Sequence, residues 1–390
     1  MFEVRTARLF MALLALLAVC TAGALVVLWP DGERRPLLSP ALRAQTAEAR
    51  IERVVEVRCP AGQPGVCRDA QIELVDGPRR GERSRLALSG GALDPDLDPG
   101  DAVRVVRNEV PPGADPGVVA PYAFVDFERR KPLLWLALGF GGLVVLFGRL
   151  RGGLSLVGLA VSLLIVATFV VPAILEGKSP LGVALAGSFA VMFATIPLAH
   201  GLRAKSIAAM LGTAGSLLLT AALAVLFTRL AHLTGFSSEE ATLLQAGGAD
   251  LSLDGLLVAG MVIAALGVLD DVTVSQASIV LAVRAADPRQ RFGALYRRGL
   301  AVGQDHVTAT VNTLVLAYVG ASLPALLVFS AGGIGELDAV NLELVAKEIV
   351  GTLVGSIGLI AAVPLTTALA ALLAERLPNE ALADASAHAH

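Results

Sequence analysis

Residues 260–283 read GMVIAALGVLDDVTVSQASIVLAV, residues 284–299 read RAADPRQRFGALYRRG, and residues 300–320 read LAVGQDHVTATVNTLVLAYVG. The first run exceeds the roughly 20 residues a helix needs to cross a bilayer. Asp270 and Asp271 fall near its middle. There an ionised carboxylate costs a few kcal/mol unless it is paired, hydrated or protonated. The stretch predicts two membrane helices joined by a basic loop, within a bundle that supplies the carboxylates with partners.

Composition agrees. The chain has 390 residues, 55% of them hydrophobic, and a mean hydropathy of +0.70, too apolar for a soluble domain. Its formal net charge of -3 says little, because the charges are segregated by region. Nothing in the sequence points to nucleic acid as a partner, and no cofactor is expected.

Outward from the central pair, apolar segments run over residues 9–29, 133–147, 154–171, 181–198, 207–230, 256–283, 300–329 and 349–373. The reading is a polytopic α-helical membrane protein of about eight transmembrane helices. It carries a small extracytoplasmic β-rich, barrel-like module. The domains are a membrane anchor over 1–29, the module over 30–131, a seven-helix membrane domain over 132–376 and a tail over 377–390. Ala22-Gly23-Ala24 resembles a signal-peptidase site. The apolar run nevertheless continues through Trp29, which favours an uncleaved anchor.

Basic residues set the expected orientation. Arg149 and Arg151 share one short loop, Arg203 and Lys205 another, and Arg284, Arg289, Arg291, Arg297 and Arg298 a third. Arg5, Arg8 and Arg376 fall on the same side, whereas the 233–253 loop has no Lys or Arg. Both termini are therefore expected in the cytoplasm of a bacterial cell, with residues 30–131 outside the plasma membrane. The acidic loop with Glu239, Glu240, Asp250 and Asp254 falls on the outer side and reads as a solvated surface.

Within residues 30–131, short alternating runs at 51–57, 71–75, 84–88 and 101–106 are punctuated by Asp-Gly, Gly-Gly and Pro-Gly steps. That is the pattern of a small antiparallel sheet or barrel. Cys59 and Cys67 lie in it. They are a disulfide candidate if the module faces an oxidising compartment, and two free thiols otherwise.

In the 256–283 helix, Gly260, Ala264, Gly267, Asp271, Ser275, Ser278 and Ala282 share one face. In the next helix Ala301, Asp305, Thr308 and Asn312 do the same. Counting inward from Arg284 and outward from Arg298 sets Ser278 level with Asp305, Ser275 with Thr308 and Asp271 with Asn312. The expectation is a polar ladder between two antiparallel helices. Asp270 points about 100° away and needs a partner on another helix or in a wet cavity.

The strings ALGVLDDVTVSQ (265–276) and GLAVGQDHVTATVNTLVLAYVGASLP (299–324) resemble the YibE/F-like family of bacterial membrane proteins. Asn312-Thr313-Leu314, Ala317-Tyr318 and Gly320 carry most of the resemblance, together with the Gly100-Asp101-Ala102-Val103 step. It implies the same architecture, and places the family's intramembrane aspartate at Asp271. Asp270 stands where other members often have an apolar residue. The family brings no established biochemical activity.

Three functions compete. The first is an ion- or proton-coupled transporter or permease, with Asp270, Asp271, Ser275, Ser278, Asp305, Thr308 and Asn312 as site candidates, because a dehydrated cation needs oxygen ligands. The second is a non-catalytic envelope assembly protein whose external module binds a protein partner, the polar ladder only fixing helix packing. An intramembrane aspartyl enzyme ranks last. No Gly-x-Gly-Asp string occurs, and Asp271 and Asp305 are expected too far apart in depth to share a proton. His306, beside Asp305, reads as a packing residue. No metal site is expected.

Overall fold

The computed structural model describes residues 2–32, 46–57, 67–88, 95–108, 120–237, 239–246 and 251–376. It divides into two compact units, Leu38–Val144 and the combination of Met1–Leu37 with Val145–His390.

The smaller unit is built on strands β1 (Ala47–Val57), β2 (Cys67–Leu74), β3 (Arg83–Leu88), β4 (Ala102–Arg107) and β5 (Tyr122–Phe127). They close into a barrel in the order β1-β2-β3-β5-β4. The β3–β5 pair is parallel and the other pairs are antiparallel. This is the Greek-key arrangement of OB-folds. Every second residue points inward, so Ala49, Ile51, Ala70, Ile72, Leu86, Val103 and Val105 fill the interior. Gly100, at φ 102° in the turn before β4, donates its N–H to Ile51 O at 2.8 Å. A residue with a Cβ is strained in that conformation. Cys59 and the side chain of Cys67 lie outside the described residues, and with them the disulfide.

An ion-pair network lies where the strands end. The Arg104 guanidinium lies 3.2 Å from Asp76 and 3.7 Å from Glu128, and also donates to Thr46 O at 2.8 Å. Glu128 is shared with Arg130, which also lies 3.7 Å from Glu48. Arg130 holds the Glu128 carboxyl far below the usual range, at about 2.

Helices α1 (Phe2–Leu28), α2 (Arg130–Ile165), α3 (Val171–Leu175), α4 (Pro180–His200) and α5 (Ala204–Leu230) are followed by α6 (Glu239–Ala246) and α7 (Leu253–Ala286). Helices α8 (Phe292–Ala331), α9 (Glu336–Asn341) and α10 (Glu343–Ala374) follow among the described residues. Among the described residues, seven helical runs are long and apolar enough to cross a membrane, against about eight expected. The difference arises at residues 133–147 and 154–171. Both lie within one run, Arg130–Leu175, interrupted at Arg149 (φ 51°, ψ -133°) where the sequence suggested a loop.

In the larger unit α5, α7 and α10 pack closely on one another. Pro180 meets Gly255 near the start of each helix and Thr195 meets Asp270 further along, so α4 and α7 run parallel. Gly212 lies against Thr366, and Gly358 against Thr220, so α5 and α10 are antiparallel. At both crossings a Cβ on the glycine would overlap the threonine hydroxyl; the missing side chain is what lets the backbones approach. Phe10 and Leu14 of α1 join the same core. The end of α1 is tied down by Glu176, which accepts from Asp31 N at 2.7 Å and Gly32 N at 2.9 Å.

The basic connection after α7 is shorter than the sequence suggested. Arg284 donates to Pro288 O, and to Gln290 O at 2.7 Å, which closes a tight turn. Helix α8 therefore starts at Phe292, well before residue 300.

Candidate functional site

Asp270 is the carboxylate that α7 turns into the bundle. Its Oδ2 lies 3.2 Å from Thr195 Oγ1 on α4. Thr213 on α5 and Thr273 on α7 are fully buried, their hydroxyls 2.7 Å apart, and Thr273 Oγ1 lies 3.2 Å from the Asp270 carbonyl. Hydroxyls of α4 and α5 thus stand at one acidic side chain, and Thr273 donates to its backbone carbonyl. Asp270 Oδ1 is buried with no hydrogen-bond partner.

Thr195 and Thr213 are the hydroxyls that act on the Asp270 carboxyl. Thr195 has one hydroxyl proton, and Val191 O, at 2.9 Å, competes for it with Asp270 Oδ2. When the proton goes to Val191, the contact with Asp270 is a hydrogen bond only if Asp270 is the donor, in its acid form. The same oxygens suit a small cation, because carboxylate and hydroxyl oxygens are the ligands a dehydrated cation takes.

The predicted ladder is not formed. Asp271, Asp305, Thr308 and Asn312 are exposed, and Ser275 and Ser278 half-buried. Ser278 and Thr308 donate to carbonyls of their own helices, Val274 O at 2.8 Å and Gln304 O at 2.9 Å, as hydroxyls in helices commonly do. His306 is half-buried on α8. The α7–α8 seam is apolar instead. Val272 packs with Leu359 and Val363 of α10, and Val268, Leu300, Val307, Val311 and Leu314 join them. The register differs because α8 starts earlier than the basic residues suggested.

One amide spans that seam. Gln276 is fully buried and its Nε2 donates to Gly299 O at 2.8 Å on α8 and Thr367 Oγ1 at 2.7 Å on α10. Sequence reasoning passed over Gln276, Thr195, Thr213 and Thr273. The available signal was their position in otherwise apolar helices, where a hydrogen-bonding side chain seeks a partner.

The class these features define is a helical membrane protein with a half-buried carboxylate between helices and a small β-barrel unit. Residues 136–376 match the family model described as YibE/F-like protein, and the chain belongs to that family. No curated protein and no solved structure matches the chain.

Proposed function

We propose that the chain is a multi-pass protein of the bacterial plasma membrane that moves a proton or small cation, coupled through Asp270. The observation that carries this reading is the half-buried Asp270 carboxyl, with Oδ1 enclosed and without a hydrogen bond, Oδ2 3.2 Å from the Thr195 hydroxyl, and the Thr213 hydroxyl also acting on it. Such a group takes up and releases a positive charge at little structural cost. The arginines and lysines of the α4–α5 and α7–α8 connections support cytoplasmic placement of those turns and of both termini, with the barrel outside. Asp270 then lies about 21 Å along α7 from Arg284, at 1.5 Å per residue, which is deep in the hydrocarbon. We read the chain as a non-enzyme that needs no cofactor; Asp271 and Asp305, the pair an aspartyl enzyme would use, are both exposed.

A second reading, an envelope assembly protein whose barrel binds a protein partner, is favoured by the barrel being a separate unit with its own core. Purified protein in liposomes separates the two. Transport is supported if wild type carries protons, Li⁺, Na⁺ or K⁺ down an imposed gradient and Asp270→Asn does not. Absence of flux for all four ions in wild type sinks it and leaves the assembly role.

A further inference from the structure

Helices α4 and α7 run side by side from Pro180 and Gly255 to Thr195 and Asp270. At the outer end of this seam, in the orientation proposed above, is a cavity of about 450 Å³ lined by Gly177, Lys178, Ser179, Pro180, Leu251 and Ser252. Ser179 and Ser252 are the N-caps of the two helices. Lys178 is paired with Asp31 at 3.0 Å, and Asp254 accepts from Ser252 Oγ at 2.5 Å. The mouth of the seam is therefore polar, and its positive charge is met by a carboxylate.

Ser188 lies midway along the seam. It stands two turns before Thr195 on α4, so its side chain leaves the helix within about 20° of the Thr195 direction, toward α7. It is 1% exposed, and among the described residues its hydroxyl has no hydrogen-bond partner. A hydroxyl in a helix commonly donates to the carbonyl one turn back, as Ser278 does to Val274 O. A buried hydroxyl without that bond calls for a partner. The seam around it is apolar. Ala184 and Ala259 are buried on the side of the cavity, and Ile263 and Leu266 precede Asp270 by two turns and one turn on the same side of α7.

We propose that the α4–α7 seam is the outer route to Asp270, that what travels it is a proton, and that Ser188 is the relay. The inference rests on the transport reading above and narrows its cargo. Ser188 divides about 22 Å of seam into two spans of roughly 10 to 12 Å. A few water molecules at hydrogen-bond spacing bridge such a span. One hydroxyl accepts a proton on one side as it gives up its own on the other. A dehydrated metal cation needs a shell of oxygens, which Ala184, Ala259, Ile263 and Leu266 do not offer.

Proton uptake by the full chain in liposomes loaded with a pH-sensitive dye, under an imposed membrane potential, tests it. Ser188→Ala should lower the wild-type flux several-fold, and Ser188→Thr, which keeps the hydroxyl, should stay close to wild type. Ser216→Ala removes an equally buried, unpartnered hydroxyl from α5 and should leave the flux unchanged. Leu251→Trp, which fills the cavity, should slow it. Wild-type flux of Li⁺, Na⁺ or K⁺ without protons overturns this inference and leaves the transport reading standing; no flux of any of the four ions sinks both. The route alone is overturned by Ser188→Ala or Leu251→Trp as fast as wild type, by Ser188→Thr as slow as Ser188→Ala, or by an equal loss in Ser216→Ala.

Discussion

Thr195 Oγ1 on α4 lies 3.2 Å from Asp270 Oδ2 on α7, while the other oxygen of that carboxylate is buried and unpartnered. Of the two adjacent aspartates, Asp270 is the one turned toward α4 and half-buried. Asp271 faces outward.

The two aspartates should therefore respond differently to the same change. Asp270→Asn keeps a hydrogen-bonding group beside Thr195 but cannot take up a proton, so folding is retained and ion movement is lost. Asp271→Asn alters an exposed group outside the contact with Thr195 and should leave ion movement intact. Parallel flux and unfolding measurements on both variants check this; loss of flux in Asp271→Asn alone would reverse the assignment.

Gln276 holds α7 to α8 and α10 through one amide nitrogen. Gln276→Leu should destabilise the helical unit by roughly 0.6 to 2 kcal/mol, the range for interhelical polar contacts. Adding Thr367→Val to that variant should cost less than it does alone, because the bond is already gone. Additive losses in a double-mutant cycle would mean the two side chains are not coupled.

Helices α5 and α10 cross where glycine meets threonine twice. Gly212→Ala and Gly358→Ala should each cost about 1 to 3 kcal/mol by overpacking. Thr366→Ala should restore much of the first loss and Thr220→Ala much of the second. Unfolding curves that show no such rescue would place the close approach elsewhere.

The barrel unit should lose stability in acid through Glu128. Its carboxyl titrates at about 2 in the folded chain because Arg130 donates to it, against an ordinary value of 4.5. A depressed acid constant means that this stabilisation is fully present above about pH 4.5 and fades as pH falls toward 2. Hydrogen exchange of β4 and β5 in the full chain, corrected for intrinsic rates, should show that loss in wild type. In Glu128→Gln the same amides should be less protected at neutral pH and change less between pH 4.5 and 2. Identical profiles would remove Glu128 from the account.

Apolar run lengths and alternating strands were sufficient for the helical class and the barrel, because both follow from local periodicity. They were sufficient to mark 260–320 as the informative stretch too. The ladder failed for a local reason. Counting from Arg284 and Arg298 treats basic residues as helix ends, but Phe292–Gly299 is already helical, which displaces every pairing derived from that count.

Sequence alone determined that two carboxylates stand next to each other in an apolar helix, and that such groups require partners. Which one is enclosed was decided by the packing of α4 and α5 against α7. Neighbouring residues on a helix point about 100° apart, and nothing in the local sequence says which direction another helix will occupy. Thr195, Thr213 and Asp270 are far apart along the chain, and only the packing of α4 and α5 against α7 brings their side chains together.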